Sequence, residues 1–172
     1  MNNERVGRAW LFGDNIDTDA LAPGQYIKKP IDELASHCLE SVNAEFASTV
    51  SAGDVVYAGR NFGMGSSREQ AAQALHVLGV RGVVAASFGG IFFRNAINLG
   101  LPVFTPADVD TGDDNAQFNI KSGDEVELDI DNSRLINHSQ ASHLALNPLP
   151  VFLLDMIKAG GLVKVLEKRF NI

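Results

Sequence analysis

An α/β fold around a partly parallel sheet is what this 172-residue sequence predicts, on three observations. Short apolar runs at Asp54–Ala58, Gly82–Ala86 and Leu101–Phe104 are separated by helical periodicity, and that β–α–β–α–β order makes strands parallel. Residues Glu125–Ile130 alternate in polarity and lead through Asp131-Asn132-Ser133 into Arg134–Asn137, the pattern of an antiparallel pair. The length suits one domain with a proper core, so the whole chain, 1–172, reads as a single unit with no repeat or linker.

Taken in order, Arg8–Phe12 is a strand that runs into a polar loop, Gly13-Asp14-Asn15-Ile16-Asp17-Thr18-Asp19. Its acidic spacing lacks the glycine and distal glutamate of a calcium loop. Pro23-Gly24 and Pro30 bracket an exposed loop, Gln25–Lys29, with two positive charges. Asp32 is placed to cap a helix over 33–42. After the strand at Asp54–Ala58 comes Gly63-Met64-Gly65-Ser66-Ser67-Arg68-Glu69-Gln70. Ala71, Ala74, Leu75 and Leu78 then give one face of a helix that Gly79 ends. A second helix lies within Phe88–Gly100 and is closed by Gly100. Asp108–Asp131 is strongly acidic and reads as a solvated surface segment that includes an exposed strand at Glu125–Ile130. Asn147-Pro148 opens a helix through Ile157, Gly160-Gly161 ends it, and a short tail helix follows.

Composition narrows the function classes. The formal charge is −7, against the basic surface that nucleic acid requires. No apolar run reaches the length of a membrane span, and Met1–Arg5 lacks the basic-then-apolar pattern of a leader, so the cytoplasm is expected. Cys38, the one cysteine, falls among Leu34, Ala35 and Val42 and reads as a buried small hydrophobe. It cannot by itself hold zinc or an iron–sulfur cluster. The four histidines show no ligand spacing, so any metal chemistry must come from another chain.

The stretch from Gly63 to Gln70 concentrates the chemistry. Two hydroxyls, a guanidinium and the free amides of a helix start meet there, and such a point favours a carboxylate or phosphate. Ser66-x-x-Glu69 also has the form of a capping box, which would give the same residues a purely structural role. The second serine and Arg68 go beyond what a cap requires. There is no Gly-x-Gly-x-x-Gly, no Gly-Lys-Ser/Thr and no Gly-x-Ser-x-Gly, against dinucleotide, P-loop and serine-hydrolase readings.

Three motifs occur in order: Gly13–Asp19; Gly63-x-Gly65-Ser66-Ser67-Arg68-Glu69; and Ser87-Phe88-x-x-Ile91-Phe92-Phe93-Arg94-Asn95-x-x-Asn98-x-Gly100-Leu101-Pro102. Together they resemble the small subunit of 3-isopropylmalate dehydratase, which is similar to the swivel domain of aconitase, over about residues 7–166. The resemblance implies a β/β/α three-layer swivelling domain that binds no cofactor itself. It works with a large subunit carrying a [4Fe–4S] cluster, in a heterodimer or heterotetramer, on a small dicarboxylate. The implied reaction is dehydration and rehydration, converting 2-isopropylmalate to 3-isopropylmalate in leucine biosynthesis.

Matched position by position, Ser66 is the general base and Ser67 and Arg68 hold carboxylates. Asp17, Thr18, Asp19, Gly63 and Gly65 form the supporting loops, with the two aspartates expected on backbone amides or on cations such as Arg68. Ile27, Lys28 and Lys29 lie in the specificity loop. An apolar residue facing the substrate there suits an alkyl group, and a cation suits a third carboxylate. Gln70 stands where the family commonly has histidine, Met64 where it has cysteine, and Gly89-Gly90 where it has Ala-Arg. The alternatives are therefore a homoaconitase, 2-methylmalate/citraconate or 2,3-dimethylmalate type of small subunit, or a non-catalytic anion-binding module of the same fold.

Overall fold

The computed structural model describes residues 6–107 and 119–171. Seven strands form one sheet in the order β4-β3-β2-β1-β5-β6-β7. They are β1 (Val6–Leu11), β2 (Val55–Ala58), β3 (Gly82–Ala85), β4 (Val103–Phe104), β5 (Glu125–Asp129), β6 (Arg134–Asn137) and β7 (Ser142–Ala145). Strands β1 to β4 pair in parallel, with Ala9 beside Val55, Val55 beside Gly82 and Val83 beside Val103. From β1 the sheet continues antiparallel through β5, β6 and β7.

Every residue of β2 and β3 is buried, as expected of strands covered on both faces. One face carries the helices: α1 (Thr18–Leu21), α2 (Ile31–Ala35), α3 (Phe46–Thr49), α4 (Glu69–Val77), α5 (Gly90–Leu99), α6 (Val151–Lys158) and α7 (Leu162–Phe170). Its core includes Leu34, Phe46, Val56, Phe62, Leu75, Val83 and Phe92. Burying each large apolar side chain of this set contributes about 1.5–3 kcal/mol. The opposite face packs Val55, Tyr57, Val84 and Phe104 against Val126, Leu128 and Leu135 of β5 and β6. The antiparallel half thus folds back over the parallel half, and Leu128 lies directly on Gly82, where a Cβ would come within 2.4 Å. The result is the β/β/α three-layer arrangement, with antiparallel strands, parallel strands and helices stacked in turn.

The predicted α/β order holds, and several local expectations are corrected. The helix expected over 33–42 is only Ile31–Ala35, with Pro30 as its cap and Asp32 inside its first turn. Past Ala35 the backbone bonds shorten to His37 N–H to Leu34 O and Cys38 N–H to Ala35 O, and Leu39, at φ +61°, donates its amide to Ala20 O at 2.8 Å, so the helix does not resume. Cys38 sits in the turns that follow and is fully buried. The helix expected from Asn147 begins at Val151, after Pro150. Asn147 instead bonds Thr105 and Pro106 at 2.9 and 3.0 Å. Glu125–Ile130 is not an exposed strand: Val126 and Leu128 are 0% and 2% exposed, because they close the second core. Strand β7 is an addition to the sequence reading. Of the acidic stretch, residues 108–118 lie outside the described residues, as do the leader reading on residues 1–5 and the final residue, 172.

Candidate active-site edge

Beyond the C-terminal ends of β1, β2 and β3, three loops meet. This is the edge where parallel sheets place ligands. The loop after β1 bridges the loop after β2 through Asp17 and Met64, and the latter bridges the loop after β3 through Phe62 and Phe88. Gly63 N–H donates to Ile16 O at 2.7 Å, and Thr18 N–H to Met64 O at 2.8 Å. Gly63 must be glycine here: its φ is +74°, and a Cβ would lie 2.2 Å from the Phe92 ring. A Cβ on Gly89 would lie 2.6 Å from Gly63 O, so the third loop also approaches through bare backbone. Gly65 lies over the buried Thr18, whose Oγ1 would be 3.3 Å from a Cβ at that position.

Asp17 caps α1, its carboxylate accepting from Ala20 N–H at 2.8 Å. Asp19, in the same turn, accepts from Arg68 Nη1 and from Gly24 N–H, at 2.5 and 3.1 Å. Arg68 Nη1 also donates to Ala22 O at 2.9 Å. The guanidinium is thus oriented by two acceptors, both from the α1 region. Its hydrogen bond, followed by the Gly24 amide, holds the Asp19 carboxyl below the usual carboxylate range. A Cβ on Gly24 would stand 3.5 Å from Arg68 Nη2, so glycine at 24 leaves that edge of the guanidinium open.

The capping-box expectation is corrected. Helix α4 starts at Glu69 with Arg68 as its cap, in extended conformation (φ −94°, ψ 105°) and with no side-chain cap bond. The ion pair to Asp19 draws Arg68 away from the helix axis, and Arg68 N–H bonds Ser66 O at 2.8 Å instead. Ser66 and Ser67 are consequently exposed, and their hydroxyls make no hydrogen bond to any described residue. Two unengaged hydroxyls lie next in sequence to a fixed cation.

The segment 24–29 begins at this cluster. Ile27 is half-buried and packs on the helical core, Lys29 pairs with Glu33 at 3.0 Å, and Lys28 is exposed and unpaired among the described residues. The structure therefore joins Asp19, Gly24 and Arg68 directly, while Lys29 is drawn toward α2. Asn61 adds a residue to the site that the motifs do not mark. Its φ of +59° is stabilised by bonds from Asn61 N–H to Ser87 Oγ and from Asn61 Nδ2 to Asn15 Oδ1, both at 2.8 Å, which tie the three loops together. The Asn-Phe-Gly order before the serines was the available signal.

Among the described residues no group of three His, Cys, Asp or Glu side chains could hold a metal ion. Cys38 is buried, and burial pushes its thiol pKa up, away from the thiolate a metal needs. These residues do not fit an iron–sulfur cluster. Among the described residues, no helix is long and apolar enough to cross a membrane.

Residues 15–107 match the family model described as the aconitase C-terminal domain. The chain is 46% identical to the 3-isopropylmalate dehydratase small subunit 1 of Thermotoga maritima over 164 residues, 94% of each chain. It is 48% identical to the methanogen homoaconitase small subunit of Methanothermobacter thermautotrophicus over 158 residues, 91% of this chain and 87% of the relative. The solved structure of 3-isopropylmalate dehydratase (leuD) from Methanocaldococcus jannaschii superimposes with a TM-score of 0.84. Its identity is 40%, and the match covers 96% of this chain and 94% of that one.

Proposed function

The chain belongs to the aconitase C-terminal domain family, among the small subunits of 3-isopropylmalate dehydratase, and on that premise we propose how its residues act. It is the small subunit of a hydro-lyase of the 3-isopropylmalate dehydratase type, working with a large subunit. In our reading it acts as one swivel-type domain in the cytoplasm, and the 2-isopropylmalate to 3-isopropylmalate interconversion is its reaction. The cluster-bearing chemistry, including departure of the substrate hydroxyl, belongs to the large subunit.

The observation that carries the reading is the pair of free, exposed hydroxyls, Ser66 and Ser67, beside an oriented Arg68. Arg68 Nη1 is occupied by Asp19 and Ala22, which leaves its Nε–Nη2 edge for a carboxylate in bidentate contact. Ser67 donates to the same anion. Ser66 Oγ takes the proton from the carbon alpha to the carboxylate in dehydration, and in rehydration it delivers a proton to the neighbouring carbon, the one that lost the hydroxyl, as water's oxygen adds to the carbon that was deprotonated. An unassisted serine is too weak a base at neutral pH. The start of α4 and the Arg68 charge favour its deprotonated form.

Co-expression with the large subunit, anaerobic reconstitution and alkene absorbance test the assignment on 2-isopropylmalate, citraconate, 2,3-dimethylmalate and homocitrate. Turnover of 2-isopropylmalate is the expected result, and turnover by this chain alone overturns it. A second reading, a homoaconitase-type small subunit, rests on Lys28, exposed and unpaired where a third carboxylate would need a cation, and on the 48% identity to the methanogen relative. Preference for homocitrate would select it.

A further inference from the structure

We propose that His37 is a positioning residue that fixes the 24–29 loop through Tyr26 and thereby sets affinity for the distal group of the substrate, an inference that rests on the hydro-lyase reading above. The imidazole lies face to face on the Tyr26 ring, with centroids 3.6 Å apart and planes within 9°. His37 Nδ1 in turn meets Glu40 Oε2 at 2.6 Å, which fixes the plane of the imidazole.

The ledge that carries His37 is rigid. Its neighbours Leu34, Ala35, Cys38 and Leu39 are no more than 1% exposed, and Leu39 N–H reaches back to Ala20 O, in the helix that holds Asp19. Tyr26 is the midpoint of the loop it anchors. Its amide bonds Pro23 O at 2.9 Å and its carbonyl accepts from Lys29 N–H at 2.8 Å, so the backbone on both sides is tied to the residue whose ring His37 holds. Two residues before it, Gly24 N–H meets the carboxylate that orients Arg68. Two residues after it stands Lys28, whose side chain has no partner among the described residues. The imidazole therefore acts on Ile27 and Lys28, which follow Tyr26 in the loop, at second hand, through one stacked ring. It touches none of the residues assigned to the chemistry, which predicts an effect on KM and not on kcat.

The test compares wild type, His37→Ala and His37→Phe in the reconstituted two-subunit enzyme, with hydrogen exchange of the full chain as a readout independent of turnover. His37→Ala is expected to speed exchange at Tyr26, Ile27 and Lys29 at least fivefold. It should raise KM for 2-isopropylmalate about three- to tenfold, the worth of one aromatic pair, with kcat within twofold. KM for the shorter 2-methylmalate should move less than twofold, because less of that substrate reaches the loop. His37→Phe, which keeps the stack, should restore both readouts. The proposal is overturned if exchange is unchanged, if KM rises equally for both substrates, if kcat falls along with subunit assembly, or if phenylalanine fails to rescue. Should the wild-type enzyme turn over none of the four panel substrates, the hydro-lyase reading fails. Unchanged exchange would then still overturn the anchoring role, and accelerated exchange rescued by phenylalanine would still support it.

Discussion

At the start of β2, Asp54 is 2% exposed and accepts from Arg8 N–H and Trp10 Nε1 at 2.8 Å, Ser51 N–H at 3.0 Å and Arg8 Nη2 at 3.4 Å. Beyond the other end of the same strand, Ser66 and Ser67 have exposed hydroxyls with no partner among the described residues. One end of the parallel layer surrounds a buried carboxylate with donors, and the other holds a cation in place and leaves the hydroxyls beside it without partners. Buried polar groups are ordinarily paired because an orphan costs about 1–3 kcal/mol. The Ser66 and Ser67 hydroxyls escape that cost because they are exposed to water.

Substitutions at the two ends should therefore fail in different ways. The largest effect is expected from Ser66→Ala: a loss of about 10³-fold in kcat, within the range for a general base, with thermal midpoint and subunit assembly unchanged. Wild-type turnover in that variant would break the contrast. Asp54→Ala should do the reverse, costing about 3 kcal/mol of stability in urea unfolding because buried donors lose their acceptor, while the folded fraction keeps its kcat. Arg68→Lys keeps a charge but not the fork. It should lower kcat/KM about 10- to 100-fold, the worth of a charged hydrogen bond, with most of the change in KM.

The smallest effect is the pH dependence of Asp19. Its carboxyl is held low by Arg68 and then by the Gly24 amide. The stabilisation is fully present above its ordinary pKa of about 3.9 and lost as pH falls through the lowered value. Asp19→Asn should flatten that part of the urea midpoint against pH. Because Asp19 is 65% exposed, the contribution is small and should fade in about 1 M salt.

What was legible in the sequence follows from range of action. Val55-Val56-Tyr57 and Val83-Val84-Ala85 read as strands because continuous apolar runs need no distant information, and Gly100 read as a helix end because αL geometry is local. The motif Gly63–Arg68 reads as a candidate site, but the capping box that it also spells is not what folds. Asp19, 49 residues earlier, supplies the partner that pulls Arg68 into extended conformation. Leu39 likewise breaks the expected helix through a bond to Ala20 that no window around residue 39 contains. Strand β7 has an ordinary composition, Ser-His-Leu-Ala, and becomes a strand by pairing with β6. The facing of Ile27, Lys28 and Lys29 depended on α2, which offers Glu33 to one lysine and not the other.

The sealed position of Cys38 has a practical corollary. At 0% exposure, with burial raising its thiol pKa, it is expected to resist maleimides and iodoacetamide in the native chain, which mass spectrometry after labelling would check. A cysteine introduced at an exposed position such as Val163 would then be the one accessible thiol. Fluorophores or spin labels could be attached there without first removing Cys38, giving a reporter of association with a large subunit.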